Sequence, residues 1–287
     1  MMDGMEGYYF LFGLALVWII FAVVQDLRRR EVSDWLNFSL VAFALAYRAF
    51  YSAHSDDWMF LAYGVLGFAL FYGLANLFYY SGVFAGGDAK LLMGIGAVLP
   101  YSSFSDFAFI GLGFIVLLFV AGAVYSLAYS LFIVSLNYKK FVPEFKKNLG
   151  KKTNWVFALV FGLLFIILIY VVFGMDFVLL LISILFAVFI FVLFAYAKSL
   201  EVCMIRLVSP SFLSEGDWLV SDIKIAKGKI VKKTVHGLSA NDIISLRKYG
   251  KKVLIKEGIP FTPAFLITFL IMVFFWEAWE YLILGLF

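Results

Sequence analysis

Seven stretches of this chain are apolar over lengths near or above the roughly 20 residues that cross a bilayer as a helix. They are residues 8–24, 35–51, 58–80, 107–136, 155–173, 177–197 and 261–287. Lipid offers no hydrogen-bond partners, so a spanning segment must satisfy its own backbone, and runs of this length do so as helices. Composition agrees: 64% apolar and 15% charged residues, with a mean hydropathy of +1.00, leave too little polar surface for a water-soluble chain of 287 residues. The expected fold is an all-α polytopic membrane protein.

An eighth, shorter run, residues 89–99, is decided by the basic residues. Of 23 Lys and Arg, 22 fall in four groups: Arg28–Arg30, Lys90, the segment from Lys139 to Lys152, and the segment from Lys198 to Lys256. Under the positive-inside rule all four belong on the cytoplasmic face. Lys90 and the Lys139 group share that face only if the chain crosses out and back between them, which makes residues 89–99, extended toward Ser103, a short crossing. About eight transmembrane helices follow, with both termini outside. Asp3, Glu6, Asp56, Asp57, Asp106, Asp176, Glu277 and Glu280 then fall at or near outer ends. The first helix is longer than a signal-peptide core and leads into Gln25-Asp26 instead of a small-residue cleavage site, so it is expected to be retained.

The chain reads as a membrane core of five spans over residues 1–137, a basic cytoplasmic loop plus two spans over 138–197, a small cytoplasmic domain over 198–259, and a last transmembrane helix over 260–287. The loop, with Pro143 and interleaved Phe141 and Phe145, is expected to lie on anionic lipid. Residues 198–258 have the composition of a small α+β domain. Ser214-Glu215-Gly216-Asp217 signals a turn, and 218–235 alternates enough to predict short strands. Ser239 followed by Asp242, with Gly250 after Tyr249, predicts a capped helix over 240–249. Twelve basic residues against six acidic ones make this domain positive. The lone Cys203 excludes a disulfide framework and a Cys-rich zinc site. The domain contains His236, Ser209, Ser211, Ser214, Ser221 and Cys203, the residue types of a hydroxyl or thiol nucleophile site, but His236 stands in an apparent turn with no triad signature, so no such site is expected there.

Two carboxylates stand at apparent membrane boundaries, where a charge is costly and needs a local reason: Asp26 and Asp88. Each has a plain alternative. Asp26 has Arg29 and Arg30 at helical spacing for an ion pair, and Asp88 follows Gly86-Gly87, where an aspartate can cap a helix. Asp34 suits the N-terminus of the next helix and is the weaker candidate for chemistry. The two glycines permit a tight turn that carries Asp88 toward a neighbouring helix, and Gly94 and Gly96 offer small surfaces for packing in the bundle centre.

Gln25-Asp26, Arg30-Glu31, Asp34-Trp35 and Asn37 together resemble the first aspartate motif of archaeal type IV prepilin and preflagellin peptidases, the Gly-x-Gly-Asp membrane aspartyl proteases. Gly86-Gly87-Asp88-Ala89-Lys90-Leu91-Leu92 resembles their second, with Ala85 where the family usually has glycine. The segment 256–265 is similar to the entry into the family's final helix. The resemblance implies a membrane aspartyl endopeptidase with Asp26 and Asp88 as catalytic pair and Gly86 and Gly87 forming the motif turn. It implies no cofactor or metal, since the bacterial relatives' cysteine-rich motif is absent, as is a methyltransferase segment. The implied substrates are pilin- or archaellin-like precursors, cleaved at the cytoplasmic membrane face after a short basic leader that Glu31, Asp34 or Glu144 would meet. Membrane lipids are the other partners and nucleic acid is not one. Two carboxyls sharing a water titrate as a unit with one proton retained, so one acts as base and the other as acid. Two alternatives use the same residues: a presenilin-like intramembrane protease, with Pro263-Ala264-Phe265 as a faint counterpart of its Pro-Ala-Leu segment, and a transporter or channel with the aspartates as ion or proton ligands.

Overall fold

The structure is a computed structural model, and it describes residues 6–173, 177–225, 230–234 and 237–275. The chain divides into two compact units, residues 1–127 with 259–287, and residues 128–258.

The first unit is helical: α1 (Glu6–Arg29), α2 (Asp34–Ser55), α3 (Trp58–Tyr80), α4 (Gly86–Val98), a short α5 (Phe104–Asp106), a π-helical turn over Phe107–Gly111, the first part of α6 (Leu112–Leu136), and later in the chain α11 (Thr262–Phe274). Single stripes of side chains line its core. On α1 the buried positions Leu11, Ala15, Ile19, Ala22 and Asp26 recur every three or four residues, and on α2 Leu36, Leu40, Ala44, Arg48 and Ser52 recur every four. The opposite faces, with Phe10, Val17, Ile20 and Phe21 on α1, are apolar and exposed, as suits a helix whose outer side meets lipid. α4 sits in the middle, and nearly every side chain from Asp88 to Val98 is buried. Its glycines make this possible. A Cβ on Gly94 would lie 2.8 Å from Leu40 Cδ2, and one on Gly96 would meet Phe71 and come within 2.7 Å of the Gly67 carbonyl oxygen.

Among the described residues four helices are long and apolar enough to cross a membrane: Gly7–Arg29, Trp58–Tyr80, Phe104–Leu136 and Leu181–Cys203. That is fewer than the eight expected from charge distribution. α2 carries Asp34, Asn37, Arg48 and His54, while α4 and α11 are 13 residues each, about 20 Å of helix. Much of the side-chain environment of α8 (Lys152–Phe173) and everything after 275 lie outside the described residues.

The second unit holds the end of α6, then α7 (Tyr138–Gly150), α8, α9 (Phe177–Cys203) and the small α+β region. The expected basic loop at 139–152 is corrected by the structure: it is helix α7. Phe141 packs edge-on against Tyr196 at 5.4 Å, and Asn148 donates to the Ser199 hydroxyl at 2.9 Å, so α9 holds the segment helical. Pro143 is tolerated because the carbonyl it leaves without an amide, that of Lys139, belongs to an exposed residue.

In the α+β region β1 (Ile205–Val208), β2 (Trp218–Leu219) and β5 (Val253–Lys256) form an antiparallel sheet in the order β1-β5-β2, and β3 (Ile223–Lys224) pairs with β4 (Ile230–Val231). α10 (Ala240–Tyr249) covers the core of Leu219, Val231, Leu246, Val253 and Ile255. Its expected ends are both present. Ser239 and Asp242 form the capping box, and Gly250 closes the helix at φ 71°.

Candidate active site

Asp26 lies on the buried stripe of α1 and is 8% exposed. The helix ends just beyond it: Arg30 takes a left-handed φ of 58° while its amide still donates to the Asp26 carbonyl oxygen at 2.9 Å. The connector to α2 is then pinned from α1, since the Gln25 side-chain oxygen accepts the Ser33 amide at 2.9 Å. Val32, in that connector, is buried against Gly87. This contact brings the end of α1 beside the start of α4.

Asp88 is the third residue of α4 and is 9% exposed. Its carboxyl accepts a hydrogen bond from the backbone N–H of Ala85, the N-cap residue, which is half of a capping box. The capping alternative is therefore real, and it coexists with the other. Asp88 lies close enough to Asp26 for the two carboxyls to interact electrostatically. Two carboxyl groups 62 positions apart in the chain are thus both buried in the helical unit.

The glycine turn is built differently from expectation. Gly82 is the glycine with positive φ, at 75°, while Gly86 and Gly87 open α4 without it. Gly87 is needed for close approach: a Cβ there would stand 3.3 Å from Val32 Cβ. Ala85, in the position where resemblance favoured glycine, keeps a φ of −70° and tolerates its methyl group.

Asp34 is placed elsewhere. It is the first residue of α2, is exposed, and forms an ion pair with Lys90 of α4. Glu144 pairs with Lys147 in the other unit. Cys203 is buried, and His236 lies outside the described residues.

The residue that sequence reasoning missed is Thr262. Its backbone N–H and its hydroxyl both donate to Asp26 Oδ2, at 3.2 and 2.9 Å, and it is wholly buried at the start of α11. A helix N-terminus presents free amides and positive potential, so a carboxylate is stabilised there. The segment around it was legible by resemblance, but nothing local in the sequence ties a threonine to a carboxylate 236 positions away.

Both aspartates fall inside the stretch that matches a known family model, described as the type IV leader peptidase family. The match covers residues 13–136. The chain is also similar to curated preflagellin peptidases. It is 34% identical to that of Methanocaldococcus jannaschii over 89 residues, 31% of this chain and 38% of the relative. It is 34% identical to that of Methanococcus maripaludis over 82 residues, 29% and 35% of the two chains. With the Methanococcus voltae protein it shares 25% identity over 93 residues, 32% and 40%. The chain thus spans about two-fifths or less of the length of these relatives. No solved structure matches it.

Proposed function

We propose that the protein is a membrane aspartyl endopeptidase that removes the short basic leader from pilin- or archaellin-like precursors at the cytoplasmic membrane face. The observation that supports this reading is the burial of Asp26 and Asp88, close enough to interact electrostatically, inside the stretch that matches the leader peptidase family. One carboxylate takes a proton from a water as that water attacks the scissile carbonyl. The other, protonated, donates to the carbonyl oxygen; as the tetrahedral intermediate collapses, the first passes the proton it took from water to the leaving amine and the second recovers one from the diol hydroxyl. Neither step draws on a cofactor.

The substrate class suits the site. A precursor of this kind carries its cleavage point just before an apolar helix, and Asp26 stands at the end of a helix long enough to span the bilayer. The eight-span topology with a cytoplasmic domain over 198–259, and the four-part division of the chain, complete the proposal. The test is to co-express a pilin-like precursor with the protein and follow its shortening in membranes. Wild type should shorten it, and Asp26→Asn and Asp88→Asn should each fail to do so while accumulating normally. Cleavage by Asp26→Asn or Asp88→Asn, or none by wild type, overturns the reading.

A further inference from the structure

Thr262 spends two donors on one oxygen of Asp26, and that asymmetry has chemical content. A carboxylate rotates readily about its terminal torsion, so its two oxygens ordinarily exchange places. Here Oδ2 is held by the Thr262 amide at 3.2 Å and by the Thr262 hydroxyl at 2.9 Å, which fixes the rotation and leaves Oδ1 without a hydrogen bond among the described residues. The anchor itself is rigid. Thr262 is β-branched and stiff at χ1, Pro263 follows it, and Ala264, Phe265, Thr268, Phe269 and Met272 bury the helix behind it. Phe261, just before it, packs on Phe84 at 5.4 Å, beside the start of α4.

We propose that Thr262 is a positioning residue for the cleavage reaction, holding Asp26 Oδ2 so that Oδ1 is presented to the attacking water and to Asp88. This rests on the aspartate-pair reading above. Asp88 on α4 is the charged group that interacts with Asp26, and Lys90 on the same helix is tied to Asp34 of α2. α11 contributes no charge over Thr262–Phe274, so what it offers Asp26 is direction. Oriented groups gain much of their rate from not having to find the productive geometry.

The test measures kcat and KM for a pilin-like precursor in detergent-solubilised full-length protein, with melting temperature alongside, for Thr262→Val, Thr262→Ser and Asp26→Asn. Thr262→Val keeps shape and backbone N–H and loses only the hydroxyl donor. Its kcat should fall about tenfold to a hundredfold, with KM within about twofold of wild type. Thr262→Ser, which restores the donor, should keep kcat within about threefold. The proposal is overturned if Thr262→Val turns over like wild type, if its loss only tracks the amount of folded protein, or if Thr262→Ser is as impaired as Thr262→Val. An active Asp26→Asn would instead remove the aspartate-pair reading on which it rests. An inactive Asp26→Asn beside a fully active Thr262→Val removes the positioning role alone.

Discussion

Arg48 donates to the carbonyl oxygen of Leu99 at 2.7 Å, at the opposite end of α4 from Asp88. Its guanidinium, wholly buried, also reaches the carbonyl oxygens of Ala97 at 2.8 Å and Phe60 at 2.7 Å, and lies over the rings of Tyr8 and Phe60. The last carbonyls of a helix have no partner within it, so one arginine satisfies the end of α4 and complements its negative pole. Arg48→Met should lower stability by about 3 kcal/mol, because several buried acceptors lose their donor together. Arg48→Lys should recover only part, since an ammonium lacks the fork. Thermal unfolding in detergent checks both, and equal stability of Arg48→Met and wild type would show the carbonyls satisfied by other means.

The glycine contact between α3 and α4 sets a second expectation. Gly96→Ala places a methyl group against Phe71 and the Gly67 carbonyl, so it should destabilise by about 1–3 kcal/mol. Gly73→Ala, on the open side of α3 with nothing within 4 Å, should be neutral or slightly stabilising. Side-by-side melting curves of the two variants decide it.

Asp34→Asn should cleave precursor much as wild type does. The Asp34–Lys90 ion pair has 64% and 32% of its two side chains exposed, and exposed pairs contribute about 1 kcal/mol or less. A precursor-processing assay that finds Asp34→Asn inactive, in a protein that accumulates normally, would bring Asp34 into the chemistry.

The α+β region should be separable from the reaction. Ser239→Ala removes one arm of the capping box of α10 and should cost about 1 kcal/mol of local stability. Precursor cleavage should survive it, and should survive Cys203→Ala and His236→Ala as well. Loss of turnover in either of the last two, with folding intact, would move the nucleophile into this region.

Topology is open to cysteine labelling. Probes at Ser55 and Ser103 should label from outside, and probes at Arg29 and Lys147 from the cytoplasm. Labelling of Ser103 from the cytoplasm would make α4 a re-entrant element and end the eight-span proposal.

What the sequence disclosed follows the range of the forces involved. α10 was legible to the residue because its ends are set by neighbours, Ser239 with Asp242 and Gly250 after Tyr249. The run 58–80 coincides with α3 because apolar length alone defines it. β1 and β5 were missed: each is four residues, and their pairing joins positions such as Ile205 and Lys256. α7 was hidden by its lysines and Pro143, since its helical state is decided by contacts with α9. Neither Arg48, inside the run 35–51, nor Thr262, at the entry to the last run, showed its role, because the groups each one serves are far away in the chain.

The bond between α1 and α11 also orders events in time. During synthesis Asp26 and Asp88 both emerge before α11, the last of the described helices. Until Thr262 has left the ribosome, Asp26 Oδ2 has neither of its donors. From Asp88 to Thr262 the nascent chain therefore carries both acids with that anchor still to come.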